Sequence, residues 1–169
     1  MTTEPTAGAA TRRLLEDQIA DERERRGSLE ARGASVITSG GVVVTLLVGV
    51  AAAFSDPQRR VTVSTAALSV LAPALVALVT AAVLSILVVL PRKYQGVDPI
   101  ALARLTEERW WNASFGPTDR RTAEAQLVVL TSLRGVNRNK AIMLSAALGS
   151  EALGVLLLGV AAALVLGAR

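Results

Sequence analysis

Apolar positions fall along the chain in three runs, about residues 35–54, 62–90 and 141–167, each as long as the roughly 20 residues an α-helix needs to cross a bilayer. Polar positions collect in two stretches, Thr11 to Arg32 and Arg92 to Lys140. Charge is segregated from the apolar runs instead of striping them, which separates three spans from a very apolar soluble bundle. The pattern predicts an all-α integral membrane protein with three transmembrane helices, a cytoplasmic N-terminal helix and a helical cytoplasmic loop between spans two and three. The pieces are a tail and helix over 1–34, spans over 35–54, 62–90 and 141–167, a short external turn over 55–61, and the loop over 91–140.

Residues 1–10 show no apolar period and are expected to be disordered. From Thr11 to Arg32 nearly every residue forms helix readily, with Asp21 to Arg25 and Glu22 to Arg26 spaced as helical ion pairs, so this helix should run straight into the first span. Its apolar anchors are Leu14, Leu15, Ile19 and Leu29. They leave two readings open: a solvated helix, or one packed on the long loop or a second subunit. Span two carries Pro73 below Ser64, Thr65 and Ser69, whose hydroxyls can occupy carbonyls that the proline frees. Its end, Val88 to Tyr94 (VVLPRKY), combines a helix stop with two cations and an aromatic at interface depth.

In the loop, Asp98-Pro99 reads as a cap and first helical position, opening a helix to about Trp111 that carries Ile100, Leu102, Leu105 and Trp110. A break over 112–117 follows. Thr118 then caps a helix from Asp119 onward, with Leu127, Val128, Leu130 and Leu133 facing inward, merging into the third span near Ala141.

Composition agrees with spans: 51% of residues are hydrophobic, yet the aromatics are two tryptophans, two phenylalanines and one tyrosine. The first run does not read as a cleaved signal, because the residues before it hold seven acidic side chains beside six arginines. Fifteen of the 18 basic residues precede span one or lie between spans two and three; only Arg59, Arg60 and Arg169 fall on the other side. The positive-inside rule then puts the N-terminus and the loop in the cytoplasm, in a multi-pass protein of the cytoplasmic (inner) membrane. The net charge of +4 follows from this topology and from anionic headgroups, with no need for nucleic acid as a partner.

With no cysteine and no histidine, disulfides, thiolate nucleophiles and the commonest metal ligands are removed. No phosphate-binding GxxxxGK[ST] loop, GxSxG elbow or paired metal ligands occur, so an enzyme is not expected. Glu151 lies about ten residues into the third run, roughly 15 Å deep, where an ionisable residue raises a functional hypothesis. It could line a pore or bond helix to helix. Ser145 and Ser150 are its neighbours, and Gly149, Gly154 and Gly159 would allow close helix approach. Trp110 and Trp111 beside Arg109 and near Phe115 could stack a base and hold a phosphate, or simply sit at the membrane interface.

The order of features resembles that of the transmembrane effectors of Pycsar antiphage systems. It runs from an Arg/Glu-rich helix ending LEARGASVITSGG, through a hairpin of spans closing on VVLPRKY and a basic helical loop, to VNRNKAIMLSAAL opening the last span. The resemblance covers nearly the whole chain. It implies a non-enzymatic effector with no cofactor, activated by cyclic CMP or cyclic UMP that a partner pyrimidine cyclase makes on infection. The effector then damages the inner membrane so that the infected cell dies. Three spans are too few for a wide pore, so homo-oligomers are expected if the membrane is permeabilised. Charge and location alone nominate Arg109, Trp110, Arg134, Asn137, Arg138 and Lys140 as nucleotide-binding candidates. Two other classes stay open: a holin-like protein that forms lesions without ligand, and a scaffold whose N-terminal helix recruits a cytoplasmic partner. A transporter has thin provision in one midplane carboxylate and no internal repeat.

Overall fold

A computed structural model of the chain describes residues 7–54, 65–92 and 115–167. Among them the backbone forms three helices and no strand: α1, Ala7–Phe54; α2, Thr65–Val89; and α3, Phe115–Gly167. The expected turn over 55–61 and helix over 99–111, with Arg109 and Trp110, lie outside the described residues.

The polar helix does run without a break into the first apolar run. It starts earlier than expected, at Ala7, because the alanines of 7–10 are the strongest helix formers and a helix once nucleated downstream extends easily through them. At the end of α2, the Leu90 amide donates to the Ile86 carbonyl at 2.9 Å, and Pro91, lacking an N–H, ends the helix. Pro73 sits inside α2. The Ser69 hydroxyl donates to Ala66 at 2.8 Å, so it does not serve the carbonyl of its own residue that Pro73 leaves without a donor. α3 also begins before its expected cap, at Phe115. Pro117 fits within that first turn because amides there have no intrahelical acceptor. The expected merger near Ala141 is a continuous helix.

The chain divides into two compact units, residues 1–28 with 91–139, and residues 29–90 with 140–169. In the first unit, Ile19 of α1 packs on Val129, Leu130 and Leu133 of α3, with Leu15 against them. The N-terminal helix therefore packs on the loop helix, one of the two readings its sequence left open. Leu127 and Val128, expected inside, are 54% and 53% exposed; Val129 takes the inward place, since the face toward α1 is set by Leu130 and Leu133.

In the second unit, Val36, Val88, Leu144 and Ala147 form a core between all three helices, with Leu29, Leu84 and Met143 around it. Buried positions on α2 recur at Ala67, Ala74, Leu78, Ala81, Ser85 and Val88, and on α3 at Lys140, Leu144, Ala147 and Gly154. The steps of three, four and seven between these positions are the 3.5-residue period of knobs-into-holes packing, with Ala77 also buried beside Leu78. Two glycines serve close approach. A Cβ on Gly154 would lie 2.8 Å from the Leu78 side chain and 3.3 Å from the Ala74 carbonyl, and one on Gly33 would lie 3.1 Å from Val88. Gly149 and Gly159, expected to share that role, face open space.

Two helical segments, Thr65–Val89 and Arg120–Val165, are long and apolar enough to cross a membrane. Only 28% and 11% of their most apolar windows are buried, and Val76, Val79 and Leu156 are each more than 60% exposed.

Candidate functional site

Polar residues occupy the packed stripes, and that is where most of the described candidates lie. In the first unit Glu22 of α1 is nearly enclosed, its side chain 11% exposed. Asn137 of α3, fully buried, donates through Nδ2 to the Glu22 carbonyl at 2.7 Å and to its carboxylate at 2.8 Å. Arg134 donates to Gln18 Oε1 at 2.7 Å and lies 3.5 Å from the Glu22 carboxylate. One carboxylate thus ties a half-exposed guanidinium and a buried amide to one helix. The Asn137 Oδ1 atom is buried with no hydrogen-bond partner among the described residues. Arg138, one residue on, is exposed. The partners ascend together, Gln18 with Arg134 and Glu22 with Asn137, so α1 and α3 run parallel in this unit.

In the second unit Lys140 is completely buried and its Nζ donates to Glu30 Oε1 at 2.6 Å. Eleven residues on, Glu151 of α3 accepts from the Ser39 hydroxyl of α1, which also lies 3.0 Å from the Val36 carbonyl. Glu30 with Lys140 and Ser39 with Glu151 give the same parallel sense here. α2 is antiparallel to both, because Val88 meets Val36 and Leu144 while Leu78 meets Gly154. Glu151 therefore makes a bond between helices, one of the two roles expected for it. Glu151 also lines a cavity of about 310 Å³ that is otherwise apolar, walled by Ile37, Gly40, Gly41 and Val44 of α1 and by Leu75 and Val79 of α2.

Among the described candidates, Arg134 and Asn137 meet at Glu22. Asn137 and Lys140 spend their donors on Glu22 and Glu30, Arg134 is half engaged, Arg138 is open, and Arg109 and Trp110 lie outside the described residues. Glu30, Gln18 and Ser39 were not singled out from sequence, and Glu22 was read only as a helical partner of Arg26. The readable signal was the stepping of three and four that places Asn137, Lys140 and Glu151 on one stripe with Leu130, Leu133, Leu144 and Ala147. No group of three or more metal-ligating side chains occurs among the described residues. No family model, curated protein or solved structure matches the chain.

Proposed function

We propose that the chain is a three-span protein of the cytoplasmic membrane, N-terminus inside, that acts as an effector impairing that membrane when a cyclic pyrimidine mononucleotide binds its cytoplasmic part. The observation that carries the three-span part is the parallel sense of α1 and α3 with α2 antiparallel in the second unit. Helices joined in the order up, down, up cross a bilayer three times and keep the basic tail and loop on one side. The exposed apolar flanks of α2 and α3 suit hydrocarbon, where water would oppose them.

The nucleotide part is supported by the resemblance over nearly the whole chain and by the charge arrangement around Glu22. A cyclic mononucleotide brings one negative charge and a flat base. Its phosphate would compete with the Glu22 carboxylate for Arg134, with Arg138 open beside it. Displacing Glu22 would free the amide of Asn137 and loosen α1 from α3, so the ligand binds the two arrangements unequally, as any ligand that shifts an equilibrium must. The same geometry gives the second reading its footing. With Asn137 and Lys140 committed to the chain's own acids, a ligand-independent, holin-like protein needs no site at all.

The test is membrane-potential dye retention in cells with low expression of the chain, with cyclic CMP or cyclic UMP raised by an inducible cyclase. Depolarisation with one nucleotide alone supports the effector and names its signal. Depolarisation without either supports the holin-like reading. An intact potential in both, with the protein in the membrane, overturns the two together and favours a scaffold.

A further inference from the structure

We propose that the groove beside Glu151 is an interface for a second copy of this chain. It receives the outer face of that copy's α2, with the second copy's Thr80 hydroxyl meeting the Glu151 carboxyl. The inference rests on the membrane-spanning reading and concerns the second unit alone.

Three observations carry it. The first is an incompletely satisfied polar group at depth. Glu151 lies eleven residues beyond Lys140, about 16 Å along the helix, and among the described residues its polar partner is the single hydroxyl of Ser39. A carboxyl group has acceptor capacity for several donors, and hydrocarbon offers none. The second is shape. The cavity of about 310 Å³ beside it opens between α1 and α2, and a Cβ built on Gly40 or Gly41 would meet nothing within 4 Å. A helix ridge fills such a groove, recovering dispersion contacts that disordered lipid chains make less well.

The third is the match in level and chemistry. Between Ser69 and Ser85, Thr80 is the only polar residue of α2. It is exposed, on the ridge formed by Val76 and Val83, which are 65% and 51% exposed. Leu78 and Gly154 mark a common level. Thr80 lies two residues from Leu78 and Glu151 three from Gly154, both in the same direction because the helices are antiparallel, so the two differ in depth by only about 1.5 Å. The Thr80 hydroxyl now donates to Val76 at 2.8 Å, and threonine in a helix has a second accessible rotamer from which it can turn outward.

A two-fold pairing would set groove against groove and fill neither. Groove against ridge is a head-to-tail contact, and repeated around an axis it closes a ring. Such a ring would put one Glu151–Thr80 contact at every subunit boundary, and it supplies the assembly that three spans alone require to breach a membrane.

The chain has no native cysteine, so single introduced cysteines report contacts cleanly. Two differently tagged copies, one carrying Gly41→Cys and the other Thr80→Cys, are co-expressed and their membranes oxidised. A mixed disulfide dimer several-fold above that from either variant alone, and above Gly41→Cys with Leu156→Cys, is expected. The pair Ile37→Cys with Val83→Cys should behave alike and guards against one ill-tolerated site. Linking of Gly41→Cys chains among themselves, in preference to the mixed pair, would overturn the assignment in favour of groove-to-groove pairing. So would absence of linking in both mixed pairs. Alkaline extraction of the same membranes separates the two levels: a protein released by carbonate refutes the membrane reading itself, whereas one retained but unlinked refutes only the interface.

Discussion

Lys140 and Glu30 form an ion pair whose two halves stand in different surroundings, and that difference predicts an asymmetry between their replacements. The Lys140 side chain is 0% exposed, while Glu30 keeps 32% of its side-chain surface open and engages other groups besides. Glu30→Leu leaves a buried ammonium without its carboxylate 2.6 Å away, and stranding one member of a buried pair costs about 3–5 kcal/mol. Lys140→Met removes the buried amine, fills its volume with an apolar chain of similar length, and leaves a carboxylate that reaches water. Its expected cost is about 1 kcal/mol or less, the scale of a solvated pair. The double variant should resemble Lys140→Met, giving a coupling of roughly 3–5 kcal/mol between the sites. Denaturant titration of the protein in lipid nanodiscs, followed by helix content, gives all four stabilities. Lys140→Met as damaging as Glu30→Leu, or effects that simply add, would refute the reasoning. Lys140→Met should also keep any nucleotide response, because its amine is spent inside the chain.

Three further outcomes follow from the packing. Gly154→Leu should destabilise by about 1–3 kcal/mol through overpacking on Leu78, whereas Gly149→Ala and Gly159→Ala, facing open space, should stay within about 0.5 kcal/mol of the parent in the same titration. Ser85→Ala should be neutral or stabilising by up to about 1 kcal/mol, since its fully buried hydroxyl has no partner among the described residues; a loss above that would show a bond is made there. Asn137→Leu should cost about 1–3 kcal/mol by leaving the enclosed Glu22 carboxylate short of a donor, and Asn137→Asp should cost more, by setting two carboxylates 3 Å apart. Both are read from the same denaturation midpoints.

The three long helices were legible because each was written in a strong code: apolar length for α2 and α3, unbroken helix formers for α1, and Pro91 for the stop after Val89. Boundaries at Ala7 and Phe115 were not, since alanine extends a helix and proline is tolerated in a first turn, so neither end carries an enforced signal. The candidate site was harder. Arg134, Asn137, Arg138 and Lys140 looked like one basic patch because they are adjacent in sequence. On a helix adjacent residues point apart, and only every third or fourth shares a face. Asn137 and Lys140 share the inward stripe with Leu133 and Leu144, while Arg138 falls outside it. Which acid each would meet could not be read, because that requires the register between α1 and α3, fixed by contacts more than a hundred residues apart.

That register is where stability and responsiveness meet. A wholly apolar stripe of leucine, alanine and glycine on parallel helices slides at little cost, because one heptad step presents much the same surface again. Buried Asn137 facing Glu22, Lys140 facing Glu30 and Glu151 facing Ser39 each penalise every register but one, since a slip strands a polar group among hydrocarbon side chains. Such a device favours one register at some expense of stability. In the proposed mechanism a phosphate would compete for Arg134, whose side chain is 53% exposed and lies 3.5 Å from the Glu22 carboxylate. The Lys140 ammonium, 0% exposed, is shielded from that competition. On the proposed effector reading, such a device would change how the spans are presented to a second copy without unfolding any of them.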